Sequence, residues 1–245
     1  MKYQIVYARE PQMGDTYMKA FETDIDAQIK AGFAVGLDPS PEAEHLILRS
    51  YSIREECKYP QDSRFINNWQ ANANCLFMDL YYPLISDLTI PTFFVDKLEE
   101  TVISKIKDLG WEKAFIKGRV HALDNIEAGL CVWPNYSISE ISDNYKKYHY
   151  DEPPFAVRQF YDPEKLFYYE RYWVMNGKVF IKSGIIPDIV KEAAERLKAT
   201  GSKYFTIDAT DEVIMEVNPG ESSDRFGENP PELFAEWFKQ AFLDD

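Results

Sequence analysis

The sequence predicts an α/β protein of the α+β kind, built as two or three lobes. Three observations carry this. Strand-like and helix-like stretches alternate through the first part of the chain, antiparallel hairpins dominate the last part, and 45% hydrophobic residues over 245 positions supply ample material for a core. That length suits one large domain or two small ones.

YQIVYA (3–8) reads as a first strand and AEHLILRSYSI (43–53) as a second, with LILR as its apolar heart. INNWQANANCLFMDLYYPLIS (66–86) has a helical apolar pattern that breaks near Pro83. IPTFFV (90–95) follows as a strand. DKLEETVISKIKDLG (96–110) is an amphipathic helix with Leu98, Val102, Ile103, Ile106 and Leu109 at helical spacing, ended by Gly110. AFIKGRV (114–120) and FAVRQFY (155–161) are further strands. LFYYERYWVM and KVFIKSGII flank Asn176-Gly177, the pair that a type I′ hairpin turn prefers. A helix over 186–201 has Pro187 near its start and Gly201 after its end. YFTIDATDEVIMEVNPG predicts a second hairpin, residues 219–231 a polar loop, and PELFAEWFKQAFL a closing helix.

A formal charge of −14 repels DNA, RNA and anionic membranes, which argues against those partners. Cys57, Cys75 and Cys131 are far apart and form no CxxC pair, so reduced, buried thiols and a cytoplasmic setting are expected. The first residues hold too short an apolar run for a signal peptide, and no run is long enough for a spanning helix.

The two hairpins carry the chemistry. A two-residue turn at Asn176-Gly177 pairs Met175 with Lys178, Trp173 with Phe180 and Arg171 with Lys182. Two cations directly opposite destabilise a sheet. Either an anion such as phosphate lies between them, or the side chains extend apart into water. In VIMEVN, Glu216 and Asn218 share one face, about 7 Å apart. Asp208 joins them if the turn holds an odd number of residues, or four plus a bulge; an even turn sends it to the opposite face. With the right register three hard oxygen donors converge, as Mg²⁺ requires. Otherwise the strand has a polar face that meets water. Lys117, at the end of an apolar strand and before Gly118, suits a phosphate contact and equally an ordinary surface position.

In order, FIKG, FAVRQFY, E-R-Y-W-V with an Asn-Gly turn, a helix, and Asp208 followed by MEVNPG resemble the ATP-grasp superfamily, most specifically in MEVNPG after an upstream Asp. INNWQANANCLFMDLYYPLISDLTIPTFF resembles its passage from the N-terminal lobe to the small lobe, and the chain is most similar to compact ATP-grasp proteins of bacteria and phages. The resemblance implies an ATP-grasp fold holding nucleotide between two α+β lobes, with a reduced N-terminal α/β lobe. The expected division is 1–88 for that lobe, 89–157 for the small lobe and 158–245 for the large lobe with the metal site.

The resemblance also implies roles. Asp208, Glu216 and Asn218 match the Mg²⁺ ligands that hold ATP; Lys117 matches the small-lobe lysine on the phosphates. Gln159, Phe160 and Tyr161 match the hinge whose backbone meets adenine, and Glu170 a carboxylate near the ribose. Arg171 and Lys182 match cations near the phosphates, and Arg225 is a candidate contact to substrate or phosphate. In regular register Glu170 and Arg171 face opposite ways, so both serve only if a bulge or a strand end re-aims one. Two departures stand out. Many members have Asp-Lys where this chain has Asp79-Leu80, with Lys97 and Lys113 as candidate replacements. The loop GRVHALDNIEAG is poor in glycine, and its His121 is either a ligand contact or an exposed loop residue.

The activity so implied is ATP- and Mg²⁺-dependent ligation of a carboxylate to an amine or similar nucleophile, small-molecule or peptide, through an acyl phosphate. The protein supplies positioning and charge neutralisation rather than a covalent nucleophile. No Ser/His/Asp or Cys/His motif competes. Two alternatives remain: a nucleotide-binding assembly factor, since VRQFYDPEKLFYYERYWVMNGKV also resembles ATP-grasp proteins that help assemble translation-factor subunits, and a small-molecule kinase. In the first case Phe167, Tyr168, Tyr169, Tyr172 and Trp173 would be an interaction face or core. His45 and His149 read as structural; Arg49, Arg54 and Arg64 could clamp an acidic substrate by charge type alone, and the reading preferred is solvated surface.

Overall fold

The computed structural model describes residues 2–7, 16–50, 53–120, 122, 129–161, 169–225 and 229–244, with side chains of the first helix from 23 onward. The chain divides into two compact units, Met1–Leu76 with Glu170–Asp245, and Phe77–Tyr169.

The first unit holds two sheets. β1 (Tyr3–Tyr7) runs parallel to β2 (Ala34–Gly36) on one side and β3 (His45–Arg49) on the other. The second sheet is antiparallel, in the order β11-β10-β8-β9, from β8 (Glu170–Met175), β9 (Lys178–Phe180), β10 (Tyr204–Ala209) and β11 (Ile214–Pro219). The β8–β9 turn is the expected one: Asn176 and Gly177 have φ of 49° and 79°, the positive pair a type I′ turn demands. α1 (Thr16–Lys30) packs on α7 (Pro231–Phe242). α7 buries Phe234, Trp237, Phe238, Ala241 and Phe242, spaced to form one helical stripe. Its rings meet Trp173 and Tyr204, with centroids 4.6 Å apart for Trp173–Phe234 and 5.2 Å for Tyr204–Phe238. Each such buried ring contributes roughly 1.5–3 kcal/mol. This cluster also takes in Ile5, Tyr7 and Ile47 from the parallel sheet, which ties the two sheets into one core.

The expected helix over 66–86 is two helices, α2 (Trp69–Leu76) in the first unit and α3 (Met78–Ile85) in the second. They part at Phe77, whose backbone is extended at φ −93°, ψ 117°, while Pro83 sits inside α3. The expected helix over 186–201 is α6 (Asp188–Leu197) followed by a 3-10 turn, with Gly201 at φ 80° ending it.

The second unit is a four-stranded antiparallel sheet in the order β4-β7-β5-β6, from β4 (Thr92–Val95), β5 (Ala114–Lys117), β6 (Val132–Trp133) and β7 (Phe155–Gln159). α4 (Thr101–Asp108) and α5 (Ile138–Lys147) cover one face, where Val102, Ile106, Ile138, Ile141 and Tyr145 pack on Phe93, Ala114, Ile116, Phe155 and Val157. α5 starts in a capping box between Ser137 and Glu140, a signal present in the sequence as S-I-S-E.

Candidate functional site

The antiparallel sheet of the first unit grades from apolar to charged along one face. Directly paired residues share a face. Met175 stands opposite Tyr204, Trp173 opposite Thr206 and then Asn218, and Arg171 opposite Asp208 and then Glu216. The first two rungs carry Met175, Trp173 and Tyr204 into the core under α7; the last carries three ionisable side chains in a row.

A register shift between Asp208 and Ala209 makes the last rung. Ala209 pairs with Ile214, and Asp208 with Glu216, so Met215 is the extra residue of a bulge. Without it Asp208 would pair with Met215, and Glu216 would turn to the other face. Of the turns open to the sequence, the four-residue loop plus bulge is realised.

Asp208 is wholly buried, and its carboxylate accepts two bonds from the Arg171 guanidinium: Nε to Oδ1 at 2.7 Å and Nη2 to Oδ2 at 2.6 Å. Arg171, 12% exposed, also donates from Nη1 to Asp224 Oδ1 at 3.2 Å. Asn218 Nδ2 donates to Glu216 Oε2 at 3.0 Å, which leaves its carbonyl oxygen as the amide's ligand atom. Two carboxylates and an amide on adjoining positions fit a hard, six-coordinate cation that retains waters. Among the described residues no three His, Cys, Asp or Glu side chains cluster so as to hold a metal ion, so a cation on this face would need the Asn218 amide beside the two carboxylates.

The loop after β11 is fixed by a residue read from the sequence as solvated surface. Arg49, at the end of β3, is 0% exposed. Its Nη1 donates to the carbonyls of Gly220 at 2.7 Å and Ser223 at 2.9 Å, and to Tyr204 Oη at 3.1 Å; its Nη2 lies 3.8 Å from Asp24. Gly220 must be glycine, because a Cβ there would stand 2.6 Å from the Tyr204 ring. Glu221 is buried, and its Oε1 accepts from Asn67 Nδ2 at 2.6 Å and Tyr59 Oη at 3.3 Å. Burial pushes its carboxyl from 4.5 up to about 7, against the pull of those bonds and of Arg49.

Two candidate cations, Lys182 and Arg225, and the carboxylate Glu170 have settings that the sequence did not reveal. β9 ends at Phe180, so Lys182 does not pair with Arg171; it is exposed beyond the strand. The conflict of facing cations therefore never arises, and Arg171 turns to Asp208 instead. Arg225 is bound by Asp24, by the Asn229 carbonyl and by Thr23 Oγ1 at 3.1 Å, which makes it a tie between α1 and the loop. Glu170 opens β8 opposite Ala209, on the face away from Arg171, and no bulge in that pairing re-aims it; its Oε2 accepts from Tyr172 Oη at 3.4 Å.

In the second unit Lys117 ends β5 and is 8% exposed rather than a surface residue. It shares the sheet face opposite the hydrophobic core with Arg158, 6% exposed, whose Nη2 donates to Thr89 Oγ1 at 3.4 Å. Arg158 was not singled out from sequence; the clue was a charged residue at an alternate position of an otherwise apolar strand. Gln159, Phe160 and Tyr161 follow at the end of β7, with Gln159 N bonded to the Pro91 carbonyl at 2.9 Å and Phe160 N to that of Lys113 at 3.2 Å. Asp79, which precedes Leu80 where many ATP-grasp members have a lysine, meets Arg119: Nε stands 3.5 Å from Oδ1, the guanidinium lies 4.1 Å over Phe77, and Nη1 reaches Glu152 at 3.0 Å. His121, Phe167 and Tyr168 lie outside the described residues. Trp173 is core. Cys75 and Cys131 are buried, but Cys57 is exposed, contrary to expectation. Among the described residues no helix is long and apolar enough to cross a membrane.

No family model and no curated protein matches the sequence. Solved structures do match along the whole chain. The macrocyclase MdnC from Microcystis aeruginosa MRC, bound with precursor peptide MdnA, superposes with a TM-score of 0.62 at 10% identity, covering 100% of both chains. The ATP-grasp ligase PsnB, complexed with minimal precursor, Mg and ADP, gives 0.59 at 11% identity over 98% of each chain. D-alanine–D-alanine ligase from Bacillus anthracis complexed with ATP gives 0.61 at 12% identity, over 100% of this chain and 97% of that one.

Proposed function

From the ATP-grasp fold that this chain has, we infer that it is an ATP-dependent ligase joining a carboxylate to an amine or similar nucleophile. The supporting observation is the rung Arg171–Asp208–Glu216, with Asn218 beside it on the same face. The similar ligase structures, in complex with Mg and ADP or with ATP, agree with this reading.

Asp208, Glu216 and Asn218 would hold Mg²⁺, which when bound neutralises charge on phosphate oxygens. Arg171 offers a planar fork suited to phosphate, and Lys117 keeps only the phosphate role that the resemblance implied. The backbone at Gln159–Tyr161 is the candidate adenine contact. Lys182, exposed past β9, and Glu170, on the far face of β8, keep only the ribose or phosphate roles that the resemblance implied. Arg225, held by Asp24, stays a candidate contact to substrate or phosphate on the resemblance alone. In the reaction, a substrate carboxylate oxygen attacks the γ-phosphorus and ADP leaves; the amine then attacks the acyl carbon and inorganic phosphate leaves. The chain's own groups orient the reactants and offset charge.

The test is ADP release with candidate acids and amines, peptide and small-molecule, added together and separately. Release that requires both supports the ligase. Release with one alone identifies a kinase. Mg²⁺-dependent ATP binding with no release in any combination identifies a nucleotide-binding assembly factor.

A further inference from the structure

Asp208 is the central residue of the candidate cation site, yet Arg171 occupies both of its carboxylate oxygens, at 2.7 and 2.6 Å. The pair is desolvated: Asp208 is 0% and Arg171 12% exposed. A small cation needs near-ideal octahedral geometry and its own carboxylate lone pair. It competes for both oxygens with a guanidinium fork already bound to them, and its double charge would sit against the guanidinium's single charge. Arg171 also has somewhere to go. Nη1 already reaches Asp224, whose side chain is 77% exposed, so the guanidinium can keep this outer contact while it releases Asp208. A phosphate presents the same two-oxygen geometry as the carboxylate it would leave.

We propose that Arg171 is the resident counter-cation of the site, and that it must exchange from Asp208 to the nucleotide's phosphates before a divalent cation can bind. This rests on reading Asp208, Glu216 and Asn218 as cation ligands. The consequence is coupling. A divalent cation alone meets a site filled by Arg171 and binds weakly. Nucleotide gives the guanidinium a new acceptor and opens Asp208. By linkage, the cation and the nucleotide each tighten the other by the same factor. The charge on Asp208 is thus compensated at every stage, first by arginine and then by metal, which a fully buried carboxylate requires.

The experiment measures Mn²⁺ binding by electron paramagnetic resonance, with and without ATP, in the wild type, Arg171→Gln and Arg171→Lys. In the wild type, ATP should tighten Mn²⁺ binding by about tenfold or more. In Arg171→Gln, Mn²⁺ alone should bind about tenfold tighter than in the wild type, while ATP affinity falls and the coupling shrinks. Equal binding of Mn²⁺ alone to wild type and Arg171→Gln, with Mn²⁺·ATP still bound by the wild type, overturns the exchange and leaves the nucleotide site standing. No Mn²⁺·ATP binding to the wild type overturns both. Should Arg171→Gln fail to fold, Arg171→Lys decides: its ammonium cannot span both oxygens, so Mn²⁺ alone should bind it more tightly than the wild type, and unchanged binding overturns the proposal.

Discussion

Glu221 is buried with one carboxylate oxygen held by Asn67 and Tyr59, and burial raises its carboxyl from 4.5 to about 7. Its sign is opposite to that of an ion-paired carboxylate. Between pH 4.5 and about 7 the folded protein binds a proton that the unfolded chain has lost, so stability is greatest below this window and falls as pH rises through it. Glu221→Gln keeps an acceptor oxygen and removes the charge. It should flatten thermal stability between those pH values and raise it at pH 8 by up to about 3 kcal/mol. A melting temperature whose pH dependence is unchanged in the variant contradicts this. Arg49 carries the opposite risk. It is a buried cation holding the carbonyls of Gly220 and Ser223, so Arg49→Met should cost about 3–5 kcal/mol in denaturant unfolding. A loss of under about 1 kcal/mol would show that the loop after β11 is fixed by other contacts. Neither residue was legible as important in the sequence. Arg49 lies in an apolar strand whose charge says nothing of a partner 171 residues away, and Glu221 follows a Pro-Gly pair that reads as a solvent loop.

The hairpins show what short-range sequence can specify. Asn176-Gly177 fixed the β8–β9 register because only residues tolerant of positive φ fit a type I′ turn, and the pairs Met175–Lys178 and Trp173–Phe180 followed. The extension to Arg171–Lys182 failed because strand length is set by packing rather than by the turn. The β10–β11 pair was left open between two parities, since a bulge at Met215 depends on the backbone and not on residue type. Gly220 gives a test at this scale. Gly220→Ala should destabilise by about 1–3 kcal/mol, because its Cβ meets the Tyr204 ring in a core that α7 closes. Chemical denaturation checks it, and a neutral result would mean that the end of β11 moves freely against β10.

For the whole molecule, the order of strands, helices and hairpins was enough to reach the ATP-grasp fold. MEVNPG after Asp208 carried the most weight, because it puts a carboxylate and an amide on a strand where apolar residues are expected. What pairs with what over long range was not readable: Asp208 with Arg171, Asp79 with Arg119, and Asp24 with Arg49 and Arg225 each join distant segments. On the proposed reading, the Asp208–Glu216–Asn218 face binds a divalent cation together with nucleotide. Calorimetric titration of Mg²⁺·ATP into the wild type and Glu216→Ala tests it most directly. The expected result is Mg²⁺-dependent binding to the wild type that the substitution weakens by tenfold or more, about 1.4 kcal/mol. Binding that Glu216→Ala leaves unchanged, or no binding to the wild type, would contradict it.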